Sequence, residues 1–80
     1  MSKMHHPLIE IYPMRYAPDG EGSIIADGRD IPAFYDVLVR FEGDDPIEEK
    51  EGLLTYAEAW TYALLFGEKY PGSSIVEIET

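Results

Sequence analysis

Apolar residues recur along this chain with two different periods, and the switch between them divides it into a strand-rich first part and one helix followed by a last strand. Leu8 to Tyr16 is dense in β-branched and aromatic residues, which suit a pleated, half-buried surface. Pro13 in its middle has no amide hydrogen to donate, which predicts an edge strand or one broken at that residue. Ala17-Pro18-Asp19-Gly20-Glu21-Gly22 carries Pro and Gly at turn spacing, and the run Ser23 to Ala26 then meets Asp27-Gly28, a dipeptide that predicts a β-hairpin there. From Phe34 to Glu42 the alternation is clean. Tyr35, Val37, Val39 and Phe41 point one way while Asp36, Leu38, Arg40 and Glu42 point the other, so this segment is expected to be the central strand with one buried face.

After Gly43 the period disappears. Asp44 to Gly52 holds too many like charges for a stable isolated helix and no strand alternation, so residues 43–54 are expected to form an exposed acidic loop. Thr55-Tyr56-Ala57-Glu58 reads as a capping box: the Thr55 hydroxyl accepts from the Glu58 amide and the Glu58 carboxylate reaches back to the Thr55 amide. A helix from Tyr56 to about Lys69 follows. Tyr70-Pro71-Gly72 stops it, because the residue before a proline is pushed out of the α region, and Ser74 to Glu79 supplies a strand with Val76 and Ile78 on one face. The expected fold class is α+β: a small antiparallel sheet of three to four strands packed against one α-helix, in the order β-β-β-α-β. Residues 1–7 are read as a flexible N-terminus and residues 8–80 as a single domain, since a chain this short buries only roughly 60% of its unfolded surface.

The helix is unusually apolar. Tyr56, Trp60, Ala63, Gly67 and Tyr70 form one stripe, and Ala59, Tyr62 and Phe66 a second beside it. Leu64 and Leu65 fall among or beside the polar positions, so more apolar surface exists than one sheet face covers. Either the segment bearing Ile47, Leu53 and Leu54 folds over the excess, or Leu64 and Leu65 form the face of a homodimer or of a partner contact. Gly67 costs helix propensity and is consistent with a close backbone approach in either case.

Charge changes this picture most. The chain has 16 Asp and Glu against 6 Lys and Arg, a formal net charge of -10, and six of the acids fall between Glu42 and Glu51. Such a field repels nucleic acid and acidic membranes and attracts a protein surface rich in Lys and Arg, with a strength that salt screens. Cysteine is absent, which removes disulfides, thiolate metal sites and thiol catalysis. No stretch approaches the roughly 20 apolar residues of a membrane span or shows a signal peptide, so a soluble, cytoplasmic protein is expected.

Catalytic constellations are thin, and no enzyme is expected. His5 and His6 sit together in the N-terminal segment, where nothing holds a base near a nucleophile. Ser23, Ser73 and Ser74 lack a nucleophile elbow, and Asp27 and Asp30 fit turn and surface roles. The acids near Asp44 do not follow the spacing of a calcium-binding loop, so no metal site is expected. Gly20-Glu21-Gly22 opens no helix and places a carboxylate where phosphate would sit, so no cofactor is expected either. What remains is an acidic interaction surface, with Glu42, Asp44, Asp45, Glu48, Glu49 and Glu51 as candidate partner-binding residues. If Asp36 and Arg40 project from the free face of the central strand, carboxylates could line up at spacings like those of backbone phosphates.

In size, acidity, lack of cysteine and strand-strand-helix-strand core, the chain resembles the small phage-encoded anti-CRISPR proteins that act on type I systems, including those directed at type I-C. The resemblance is one of overall character, without a shared motif. It implies non-enzymatic inhibition in the host bacterial cytoplasm: an acidic, DNA-mimicking surface binds Cas subunits of the surveillance complex and blocks target DNA. Two other readings stand beside it. The Thr-capped helix Thr55-Tyr56-Ala57-Glu58-Ala59 after a strand-rich start is similar to HicB-type antitoxins, which neutralise a basic toxin. The broad apolar helix suits an accessory subunit of a phage or bacterial assembly.

Overall fold

The computed structural model describes residues 6–27 and 31–78. The chain runs β1 (Pro7–Tyr16), β2 (Ser23–Ile25), β3 (Phe34–Phe41), β4 (Glu48–Leu53), α1 (Tyr56–Lys69) and β5 (Ser74–Glu77). Among the described residues it is an α+β fold in two layers: one sheet, antiparallel except for the β1–β5 pair, with a single helix on one side. The expected class therefore holds, with one strand more than expected before the helix.

β1 is the centre of the sheet and not its edge. On one side it pairs antiparallel with β3 over Pro7↔Phe41 to Met14↔Phe34. Its other side is shared, with β5 parallel along Leu8 to Ile11 and β2 antiparallel along Met14 to Tyr16. Pro13 is tolerated because it stands at the changeover between those two partners. The Ile11 carbonyl accepts from Ile78 at 2.9 Å and the Pro13 carbonyl accepts from Ala26 at 2.8 Å. Alternate residues of a strand aim their polar groups to the same side, so the missing Pro13 amide falls on this divided edge and leaves the β3 ladder whole. The hairpin turn lies at Ala17–Gly22, between β1 and β2, closed by Ala17 N to Gly22 O at 3.1 Å. β2 and β3 flank β1 and do not pair with each other, which corrects the hairpin expected at Asp27-Gly28; Gly28 itself lies outside the described residues. β1 also begins at Pro7, inside the segment read as a flexible terminus, while residues 1–5 lie outside the described residues.

The segment expected to be an acidic loop contains β4, paired antiparallel to β3 through Val39↔Glu48, Leu38↔Glu49 and Val37↔Lys50, then Tyr35↔Leu53. Two steps on β3 oppose three on β4, a β-bulge carrying one extra residue. Gly52 occupies it at φ +72°, a conformation glycine adopts without strain, and its amide donates to Asp36 Oδ1 at 3.0 Å. The bulge hides the period. Glu48 and Lys50 face the helix, and the extra residue returns Leu53 to that same face, where it is buried. Leu54 and Ile47 are exposed, so this segment does not cover the helix's surplus apolar surface.

The core lies between sheet and helix. Ile9, Ile11, Val37 and Val39 are fully buried, and the helix approaches them through Ala59 and Ala63. Trp60, Tyr62, Phe66 and Tyr70 pack around this centre with Tyr35 and Ile75. Ile75, opposite Ile9, is the inward residue of β5, whereas Val76 is exposed, which reverses the face expected for that strand. Thr55 caps the helix by accepting from the Glu58 amide at 3.1 Å; the Glu58 carboxylate accepts from the Thr55 hydroxyl at 3.2 Å and not from its amide.

An added methyl at Gly67 would meet Ser73 Oγ at 3.8 Å and Ile9 Cδ1 at 3.9 Å, ordinary contact distances. Gly67→Ala should therefore stabilise the protein by up to about 1 kcal/mol through helix propensity. Ile9→Ala should cost about 3 kcal/mol and Ile9→Val about 1 kcal/mol, the range of buried truncations. Urea unfolding followed by circular dichroism checks all three.

Candidate functional site

The helix covers one face of the sheet, and the other face carries the polar alternates of β1 and β3 together with part of β4. Leu8, Glu10, Tyr12 and Met14 of β1 stand opposite Arg40, Leu38, Asp36 and Phe34 of β3. Glu49 lies opposite Leu38, and Glu51 follows it on the same face. Tyr12, Met14, Ile25 and Leu38 form an apolar floor, and Asp36, Glu49 and Glu51 join them around an open groove of about 400 Å³.

One ion pair organises this face. Arg40 donates to Glu10 through Nε at 2.6 Å to Oε1 and through its Nη2 at 3.1 Å to Oε2, a fork that fixes both side chains. The Tyr12 hydroxyl adds a third bond to Glu10 Oε1 at 3.0 Å. Glu10 is buried at 5% exposure, and the Arg40 guanidinium bonded to it holds its carboxyl below the ordinary glutamate range against the opposing effect of burial. Burial pushes the Tyr12 hydroxyl up, and its bond to Glu10 adds to the effect. Burial likewise pushes the Asp36 carboxyl up; the Gly52 amide opposes this and the neighbouring Glu51 charge reinforces it.

The six acids between residues 42 and 51 do not share one surface. Glu49 and Glu51 line the groove with Asp36. Glu42 follows β3, and its charge helps raise the Arg40 pKa, after the larger effect of Glu10. Asp44 and Asp45 are exposed in the β3–β4 turn, where the Asp44 amide donates to Phe41 O at 2.9 Å. Glu48 belongs to the other side: it accepts from Lys69 Nζ at 2.7 Å and from the Tyr70 hydroxyl at 2.5 Å, tying β4 to the end of the helix. Lys69, and then Tyr70, lower the Glu48 pKa through these bonds. Lys50 sits 5.3 Å from the Tyr62 ring centre, also on the helix side. Among the described residues, Arg40 is thus the one Lys or Arg on the open face, and it is engaged by Glu10.

Leu64 and Leu65 are exposed at 58% and 52% on the outer side of the helix, so they and the acidic groove lie on opposite layers. Tyr12, Met14, Ile25 and Leu38 were missed as site residues. The alternation of β3 signals Leu38, but Met14 and Ile25 meet only through the β1–β2 pairing. Among the described residues no group of three or more His, Asp or Glu is placed to hold a metal ion, and no helix is long and apolar enough to cross a membrane. Comparison with protein-family models, curated proteins and solved structures finds no match for this chain.

The ion pair sets a pH signature. A depressed Glu10 pKa contributes stability that is fully present above the unfolded value of about 4.3 and is lost as pH falls through the folded value. Arg40→Gln leaves a buried carboxylate without its cation, so this variant should be less stable than wild type at neutral pH, with the gap closing on acidification below about pH 4. Urea titrations of both proteins across a pH series measure that gap, and the common effects of Glu48 and Asp36 cancel in the comparison.

Proposed function

We propose that the chain is a non-catalytic binding module whose open sheet face receives a basic protein surface. The observation that carries this reading is the groove itself: Asp36, Glu49 and Glu51 border an apolar floor, and the one described cation on that face is already paired. Carboxylates around an apolar centre give a Lys- or Arg-rich partner both steering and a surface from which its docking expels water, where charge-assisted bonds are strongest. Glu42, and Asp44 and Asp45 at the end of β3, extend the same field. Glu48 is a structural tie in this reading and not a partner contact.

The resemblance in overall character makes the partner a nucleic-acid-binding surface, namely Cas subunits of a type I surveillance complex in a bacterial cytoplasm. Carboxylates would occupy the places of target-DNA phosphates, and inhibition would be competitive. The exposure of Leu64 and Leu65 favours a second reading, an assembly subunit or dimer that uses the outer helix face.

Gel filtration with a purified type I-C guide-RNA complex, followed by a target-DNA shift assay at low and high salt, tests the proposal. Co-elution and loss of DNA binding, both relieved by salt, are expected. Glu49→Lys with Glu51→Lys should weaken binding at least about tenfold, and Leu64→Asp with Leu65→Asp should leave it unchanged. The reverse pattern sinks the acidic-face reading in favour of the helix face.

A further inference from the structure

A second cleft lies on the helix-covered side, between β1, β3, β5 and the first turn of α1. Ile11, Pro13, Pro32, Tyr35, Tyr56 and Glu77 border about 200 Å³ of space, less than the roughly 300 Å³ at which whole small-molecule sites begin and suited to a single side chain. Two tyrosine rings, Tyr35 and Tyr56, border it at a steep mutual angle, and Trp60 packs against Tyr56. The Tyr35 and Tyr56 centres are 5.9 Å apart at 60°, and those of Tyr56 and Trp60 are 6.4 Å apart at 72°. A carboxylate is fixed among them: Glu77 Oε1 accepts from the Tyr56 hydroxyl and from Trp60 Nε1, the latter at 3.3 Å. Among the described residues no cation pairs with Glu77, and its second oxygen accepts no hydrogen bond. Tyr56 and Glu77 are both exposed, so the cleft is open to a partner.

We infer that this cleft is a binding site for an organic ammonium group, a lysine side chain or its N-methylated form. Ring faces attract cations through their quadrupoles, proline rings add apolar walls that suit methyl groups, and Glu77 supplies the counter-charge. The hydrogen bonds from Tyr56 and Trp60 hold that carboxylate in place before any ligand arrives. The helix N-terminus nearby opposes a cation, and the acidic first-turn residue Glu58 offsets it together with Glu77. The cleft faces away from the acidic groove, so it stands or falls independently of the function proposed for that groove.

Trp60 is the sole tryptophan, which makes its indole N–H a specific NMR reporter. The full chain is titrated with N-acetyl-lysine amide, with N-acetyl-trimethyllysine amide and with the neutral carbon isostere of the latter. The two ammonium probes should shift the Trp60 indole signal saturably, with affinities of order millimolar, and the neutral isostere should not. Glu77→Gln keeps an acceptor for Tyr56 and Trp60 while removing the charge, and should weaken ammonium binding roughly three- to fivefold with an unchanged circular dichroism spectrum. Absence of a saturable shift, an equal response to the neutral isostere, or unaltered affinity in the Glu77→Gln variant would each overturn the assignment.

Discussion

The register between β1 and β3 is the constraint on which the rest of this molecule rests. Their eight aligned pairs put Ile9, Ile11, Val37 and Val39 on one face and Glu10, Tyr12, Leu38 and Arg40 on the other. A slip of either strand by one residue would turn its two aliphatic side chains toward water and carry its member of the Glu10–Arg40 ion pair into the core. With the register set, Ala59 and Ala63 let the helix settle closely on the aliphatic face, and aromatic residues close the margins. The core is thin, as expected of two layers in a short chain, so each fully buried side chain accounts for a large share of its stability.

β4 shows how one strand serves two faces. Its even and odd positions separate Glu48 and Lys50, which engage helix residues, from Glu49 and Glu51, which face the open groove. The same charges blunt an exposed sheet edge, where unpaired backbone groups would otherwise recruit another strand. Protection of the edge and the proposed attraction of a basic partner are therefore compatible with one acidic segment. The Gly52 bulge makes this arrangement possible, because without the extra residue Leu53 would leave the core.

The parts of the fold legible in the sequence are those governed by local rules. The α+β class, the β3 alternation, and the helix with its Thr55 cap follow from period and capping chemistry that need no knowledge of neighbours. The misread parts depend on neighbours. Pro13 suggests an edge until the changeover from β5 to β2 explains where its missing amide falls. β4 has no visible period because a bulge interrupts it and because its helix-facing positions carry charges satisfied by Lys69, Tyr70 and Tyr62. The inward face of β5 is set by its parallel pairing with β1, which places Ile75 beside Ile9. The acidic concentration itself is plain in the composition, but its division among the groove, the turn and the Glu48 tie appears only once β4 is a strand. The Glu77 cleft leaves no trace in linear order, since its rings come from β3 and α1 and its carboxylate from β5.

The divided outer edge of β1 has a kinetic side. β1 precedes all of its partners in the chain, and the one that covers Leu8 to Ile11 comes last, after the helix. Its most apolar stretch therefore waits through the synthesis of almost every other element before that edge is closed. Such long-range closure makes folding slow relative to a helical protein of equal length. In the interval, the exposed side of this strand depends on the strong negative charge of the emerging chain to keep neighbouring molecules apart.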